Sequence, residues 1–137
     1  VEKDQNYNLL LKPDYNQVID ADAITAAARQ VAQSIGASSI VTFTETGSTT
    51  LRASKVRPEV PILALTPSLS TARRLVLAWG VYPLQTQDVG SFDDLIIHTI
   101  QIAVKEGFAK PGQKIVVTAG VPFSTPGTTN ILHIIKI

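Results

Sequence analysis

Four apolar runs punctuate the chain: Ile40-Val41-Thr42-Phe43, Ile62-Leu63-Ala64-Leu65, Val81-Tyr82-Pro83-Leu84 and Ile115-Val116-Val117-Thr118-Ala119. Their length and their β-branched and aromatic content predict strands. Between them the period becomes helical. Ile24, Ala27, Ala28, Val31 and Ile35 precede the first run at helical spacing, with Asp20 or Asp22 as the cap and Gly36 as the stop. Leu75, Val76 and Trp79 mark the inner face of a helix closed by Gly80. Phe92, Leu95, Ile96, Ile100 and Ala103 line the longest helix, which opens on a capping box of Ser91 and Asp94 and ends at Gly107. Residues 1–19 read as a short helix around Leu9-Leu10-Leu11 and then a linker at Lys12-Pro13. Residues 130–137 form a fifth strand that alternates only partly.

Strands alternating with helices predict a parallel sheet covered on both faces, because each crossover helix packs back onto it. The fifth strand follows the fourth through a loop without helical pattern, so it returns antiparallel. Pro83 lacks a ladder donor and places its strand near an edge. The fold class is α/β: a three-layer α/β/α arrangement of a five-stranded mixed sheet, four strands parallel and the C-terminal strand antiparallel. Ligands in such sheets bind beyond the carboxyl ends of the strands. Two loops lie there and could share a pocket. One is Thr44-Glu45-Thr46-Gly47-Ser48-Thr49-Thr50, where Thr46 is placed to cap the next helix and Gly47 permits close backbone approach. Free amides at a helix start, ringed by hydroxyls, attract anions. Glu45 opposes this, and Arg52 and Lys55 lie further along the helix, so positive charge must come from amides or another loop. The other loop, residues 120–129, is rich in Gly, Pro, Ser and Thr and is long enough to act as a lid.

Composition narrows the function. A chain of 137 residues fits one domain, and the 45% hydrophobic and 17% charged content is ordinary for a globular protein. The net charge of +1 gives no broad basic surface for nucleic acid. Cysteine is absent, which removes disulfides, thiolate catalysis and cysteine-ligated zinc and suits the cytoplasm. No apolar run approaches about 18 residues, so no membrane span is expected. The chain begins at Val1 and contains no methionine, the mark of a piece of something longer or a processed product. No phosphate-binding P-loop is present: Gly107 and Gly112 have the glycine spacing, but Gln113 stands where the lysine belongs. No dinucleotide fingerprint follows a strand. His98 and His133 have no partner at ligand spacing, and the place of Asp93 and Asp94 in a first helical turn explains them through the macrodipole.

The segments Asp22-Ala23-Ile24-Thr25-Ala26-Ala27-Ala28, Ile40-Val41-Thr42-Phe43-Thr44-Glu45-Thr46-Gly47, Arg57-Pro58 with Pro61-Ile62, Thr71-Ala72-Arg73-Arg74, Trp79-Gly80-Val81-Tyr82-Pro83, Pro111-Gly112-Gln113 and Gly120-Val121-Pro122-Phe123-Ser124-Thr125-Pro126-Gly127-Thr128-Thr129-Asn130 resemble, in order, the C-terminal domain of bacterial-type pyruvate kinase. The resemblance covers residues 20–137, and residues 1–19 correspond to the lead-in from a catalytic barrel. It implies a parent that transfers phosphate from phosphoenolpyruvate to ADP with magnesium and potassium, using residues in the absent barrel, so that this chain alone is inactive. For the chain itself it implies regulation and assembly. Thr44, Thr46, Gly47, Ser48 and Thr49 match the turn that grips an effector phosphate, and Gly120, Val121, Pro122, Phe123, Ser124, Thr125, Gly127 and Thr128 match the effector loop. Glu45 and Ser48 stand where members regulated by fructose 1,6-bisphosphate can carry cations, and the loop has no arginine or lysine. A monophosphate such as AMP or a sugar monophosphate therefore fits better than the bisphosphate. The resemblance also implies a homo-oligomer through residues 131–137 and 26–31. The alternative is a structural dimerisation module that binds no effector.

Overall fold

The computed structural model describes residues 5–120 and 129–137, with side chains from residue 20 onward. The apolar runs form one five-stranded sheet of order β3-β2-β1-β4-β5. Its strands are β1 (Ser39–Phe43), β2 (Ile62–Thr66), β3 (Val81–Gln85), β4 (Lys114–Ala119) and β5 (Ile131–Lys136). The first four are parallel and β5 is antiparallel to β4. The strand carrying Pro83 lies at one edge, as its missing donor requires.

Register and period place the core. Ile40 lies beside Ile62 and Val116, and Val41 beside Leu63 and Val117, so each sheet face is lined in rows. Val41, Phe43, Leu63, Leu65, Ile115 and Val117 meet Leu95 and Ala103 of α4 (Phe92–Lys105). The opposite face carries three helices. α1 (Gln5–Ile35) sets Ala28 and Ala32 on Ile40 and Val116. α2 (Ser48–Lys55) and α3 (Leu69–Leu75) set Ala53 and Leu75 on Ile62, Ala64 and Val81.

The helix ends test the local signals. Ser91 caps α4 by accepting the Asp94 amide at 3.2 Å, as its pattern predicts. Neither Asp20 nor Asp22 begins a helix, because α1 runs without a break from Gln5 to Ile35 and continues through the segment expected as a linker. On its inward side Ala21, Thr25, Ala28 and Ala32 are buried, whereas Ala27 is exposed. α3 ends at Leu75, earlier than expected: Val76 and Trp79 are 64% and 49% exposed rather than inward. Apolar spacing suggested a longer helix there, but after the Ser68 cap α3 runs only seven residues before the chain turns toward β3, and Gly80 with φ 69° closes the turn. Trp79 instead receives the Arg57 guanidinium 4.7 Å from its ring centroid.

Candidate functional site

β1 delivers the chain to the turn at the carboxyl edge of the sheet, where Thr44 is held by its amide bonding the Leu65 carbonyl at 3.0 Å. The buried Thr44 hydroxyl accepts the Gly47 amide at 2.8 Å, which closes the turn on itself. Gly47, not Thr46, is the residue that caps α2, with φ 97° and no side-chain cap bond. An L side chain is strained at that angle, and a Cβ would meet Leu75 Cδ2 at 3.4 Å. Thr46 Oγ1 is 3.5 Å from the Ser48 amide and 3.4 Å from its hydroxyl, too long for strong bonds. The first helical amides, of Ser48, Thr49 and Thr50, have no intrahelical acceptors by the geometry of any helix start. The arrangement is a set of donors at the positive end of a helix dipole.

Three contacts bring distant residues to this turn. Thr49 and Thr129 share a hydroxyl hydrogen bond of 2.7 Å, both side chains being buried. The expected effector-loop residues Val121, Pro122, Phe123, Ser124, Thr125, Gly127 and Thr128 lie outside the described residues. Gly120, directly after β4, and Thr129 bracket them, and Thr129 rests on the first turn of α2. From α3, the Thr71 hydroxyl donates to the Glu45 carbonyl at 2.7 Å. Arg74 Nη2 reaches the Thr46 carbonyl at 3.2 Å and Thr71 Oγ1 at 3.1 Å.

Thr71 and Arg74 are the residues that sequence reasoning missed as neighbours of the turn, whereas Thr129 belongs to the loop expected beside it. All three sit in quoted motif segments, yet nothing in their spacing says that they face Glu45, Thr46 and Thr49. Arg52 faces away, as its position along α2 implied: its Nη1 pairs with Asp22 Oδ1 of α1 at 2.9 Å. That pair borders a surface hollow of about 620 Å³ that also touches Lys55 and Thr25. His98 Nδ1 is engaged with the Asp94 carbonyl at 2.8 Å, and His133 meets the Phe92 ring edge-on at 5.3 Å between centroids. Among the described residues no three His, Asp or Glu side chains gather as a metal site, and no helix is long and apolar enough to cross a membrane.

With this geometry in place, comparison with known proteins gives a consistent answer. The family described as pyruvate kinase, alpha/beta domain, matches residues 22–135. The chain is 45% identical over 114 residues to the pyruvate kinase of Methylorubrum extorquens, covering 83% of this chain and 24% of that protein. It is 39% identical over 140 residues to the pyruvate kinase of Clostridium acetobutylicum, covering 97% of this chain and 28% of that protein. The pyruvate kinase of Geobacillus stearothermophilus is 35% identical over 119 residues, covering 87% and 20%. The chain thus spans about a quarter of the length of such relatives.

Proposed function

The chain belongs to the family of pyruvate kinase α/β C-terminal domains, and on that premise we propose that it regulates and assembles a pyruvate kinase by binding a phosphorylated effector at the turn. The parent would transfer phosphate from phosphoenolpyruvate to ADP, giving pyruvate and ATP in the cytoplasm. Magnesium and potassium belong to the barrel in this reading, and no residue of this chain is proposed to hold them. The observation that carries the effector site is the left-handed cap at Gly47 beyond the end of β1, with the hydroxyls of Thr44, Thr46, Ser48 and Thr49 around it. Each amide or hydroxyl bond to a charged phosphate contributes about 1.5–3 kcal/mol, so three or four suffice for a regulatory affinity. The turn itself carries Glu45 and no cation, which favours AMP or a sugar monophosphate over fructose 1,6-bisphosphate.

Calorimetry with AMP, ribose 5-phosphate and fructose 1,6-bisphosphate tests this. Monophosphate binding that weakens roughly tenfold in Thr46→Ala is expected from the loss of one such bond. Unchanged affinity in that variant removes the turn from the site, and indifference of the wild type to all three ligands overturns the effector reading. Dimerisation without an effector is the second reading. It is favoured by β5, an edge strand free of Pro and Gly whose Ile134 is 45% exposed. Sedimentation equilibrium of a chain that ignores every phosphate would support it by returning a dimer.

A further inference from the structure

We infer that Thr71 and Arg74 of α3 are positioning residues for the phosphate turn, fixing which way its peptide groups point; this rests on the effector reading above. The turn's own residues hold only one end of one of these peptides, the Gly47 amide on the Thr44 hydroxyl at 2.8 Å. A trans peptide places its carbonyl and the following amide on opposite sides. The Glu45 carbonyl is drawn to α3 by the Thr71 hydroxyl at 2.7 Å, so the Thr46 amide of the same peptide is turned away from α3. The next peptide is held at both ends, its carbonyl by Arg74 Nη2 at 3.2 Å and its Gly47 amide by Thr44 Oγ1 at 2.8 Å. Arg74 Nη2 also donates to Thr71 Oγ1 at 3.1 Å, which orients the hydroxyl so that its proton goes to Glu45.

The consequence is electrostatic. A carbonyl oxygen is the negative end of the peptide dipole and repels an anion, whereas an amide attracts it. With two carbonyls held on α3 and the Gly47 amide spent on Thr44, the Thr46 amide is the donor left on the side away from α3. A glycine at φ 97° is a point about which a peptide can rotate at little steric cost, so the free turn has other orientations available. The brace removes them before the ligand arrives. Preorganisation of this kind raises affinity without adding a ligand contact. Thr71 is buried and Arg74 is exposed, so the two halves of the brace can be probed with different structural risk.

The test compares Arg74→Ala, Arg74→Lys, Thr71→Val and Thr71→Ser. AMP affinity is measured by calorimetry, stability by urea unfolding, and Gly47 amide exchange by NMR. The expected result is an affinity loss of roughly tenfold in Arg74→Ala and Thr71→Val, partial recovery in Arg74→Lys and near-complete recovery in Thr71→Ser. Arg74→Ala should keep its unfolding midpoint while its Gly47 amide exchanges at least about tenfold faster. Wild-type affinity in both Arg74→Ala and Thr71→Val overturns the inference. If the wild type binds neither AMP nor the other two phosphates, the effector reading falls first, and Gly47 exchange then decides the brace alone: unchanged exchange in Arg74→Ala overturns it.

Discussion

The two faces of the sheet come from the same strands and handle polar atoms in opposite ways. Toward α4 the strands present Val41, Phe43, Leu63, Leu65, Ile115 and Val117, an aliphatic and aromatic layer. Toward α1, α2 and α3 they begin with Ile40, Ile62 and Val116 and end with Thr42, Thr66 and Thr118, so hydroxyls gather at the carboxyl edge. Most of these are matched. Thr42 pairs with Thr50 at 2.7 Å, Thr66 accepts the Ser68 amide at 3.2 Å, and Thr71 donates to Glu45. The α4 face has two buried hydroxyls, Ser39 Oγ and Thr99 Oγ1, and neither has a partner among the described residues. The difference teaches that burial of a threonine says little by itself. Where hydroxyls are paired they shape the loops that build the candidate site, and where they are unpaired they only weaken the core.

Substitutions sharpen this contrast. The largest effect is expected from Leu95→Ala, because Leu95 is fully buried and α4 is the helix that covers its face. A loss of about 2–5 kcal/mol in urea unfolding follows from lost burial plus the cavity. A loss below about 1 kcal/mol would show that another segment covers that face. Next comes Thr42→Val, which keeps the shape but leaves the Thr50 hydroxyl buried and unpaired. The expected cost is about 1–3 kcal/mol, and the double variant Thr42→Val with Thr50→Val should recover part of it. Equal costs for the single and double variants would mean that the hydroxyl pair is not what holds β1 to α2.

Much of this architecture was legible in the sequence because its causes are local. β-branched runs gave the strands, Pro83 gave an edge, and Ser91 with Asp94 gave a helix start. The failures share a physical reason too. Asp20 and Asp22 are capable caps, but a cap signal does not stop a helix whose preceding residues continue it. Val76 and Trp79 have apolar spacing, yet the chain leaves the helix before they can turn inward. At the candidate site the hydroxyl-rich turn was visible, while its supports were not. Thr71 contacts Glu45 across 26 positions, Arg74 contacts Thr46 across 28, and Thr49 meets Thr129 across 80. No periodicity encodes such distances. Only the packing of α3 on β2 and β3, and of β4 beside β1, brings these residues together.

The smallest predicted effect is the most pointed, because it carries the opposite sign to the Thr42 result. Ser39 is fully buried at the start of β1 beside Ile115, and Thr99 is fully buried one turn from both Leu95 and Ala103. Each hydroxyl was removed from water on folding without a bond to replace those it lost. Ser39→Ala deletes that oxygen at small volume cost, and Thr99→Val replaces it with a methyl of similar shape. The unpaired group costs roughly 1–3 kcal/mol, against which stand a slight loss of packing and, for valine, a few tenths in helix propensity. Both variants should therefore unfold at the wild-type urea midpoint or above it. If either falls by as much as Thr42→Val, its hydroxyl has a partner in the folded chain, and the contrast between the two faces disappears at that residue.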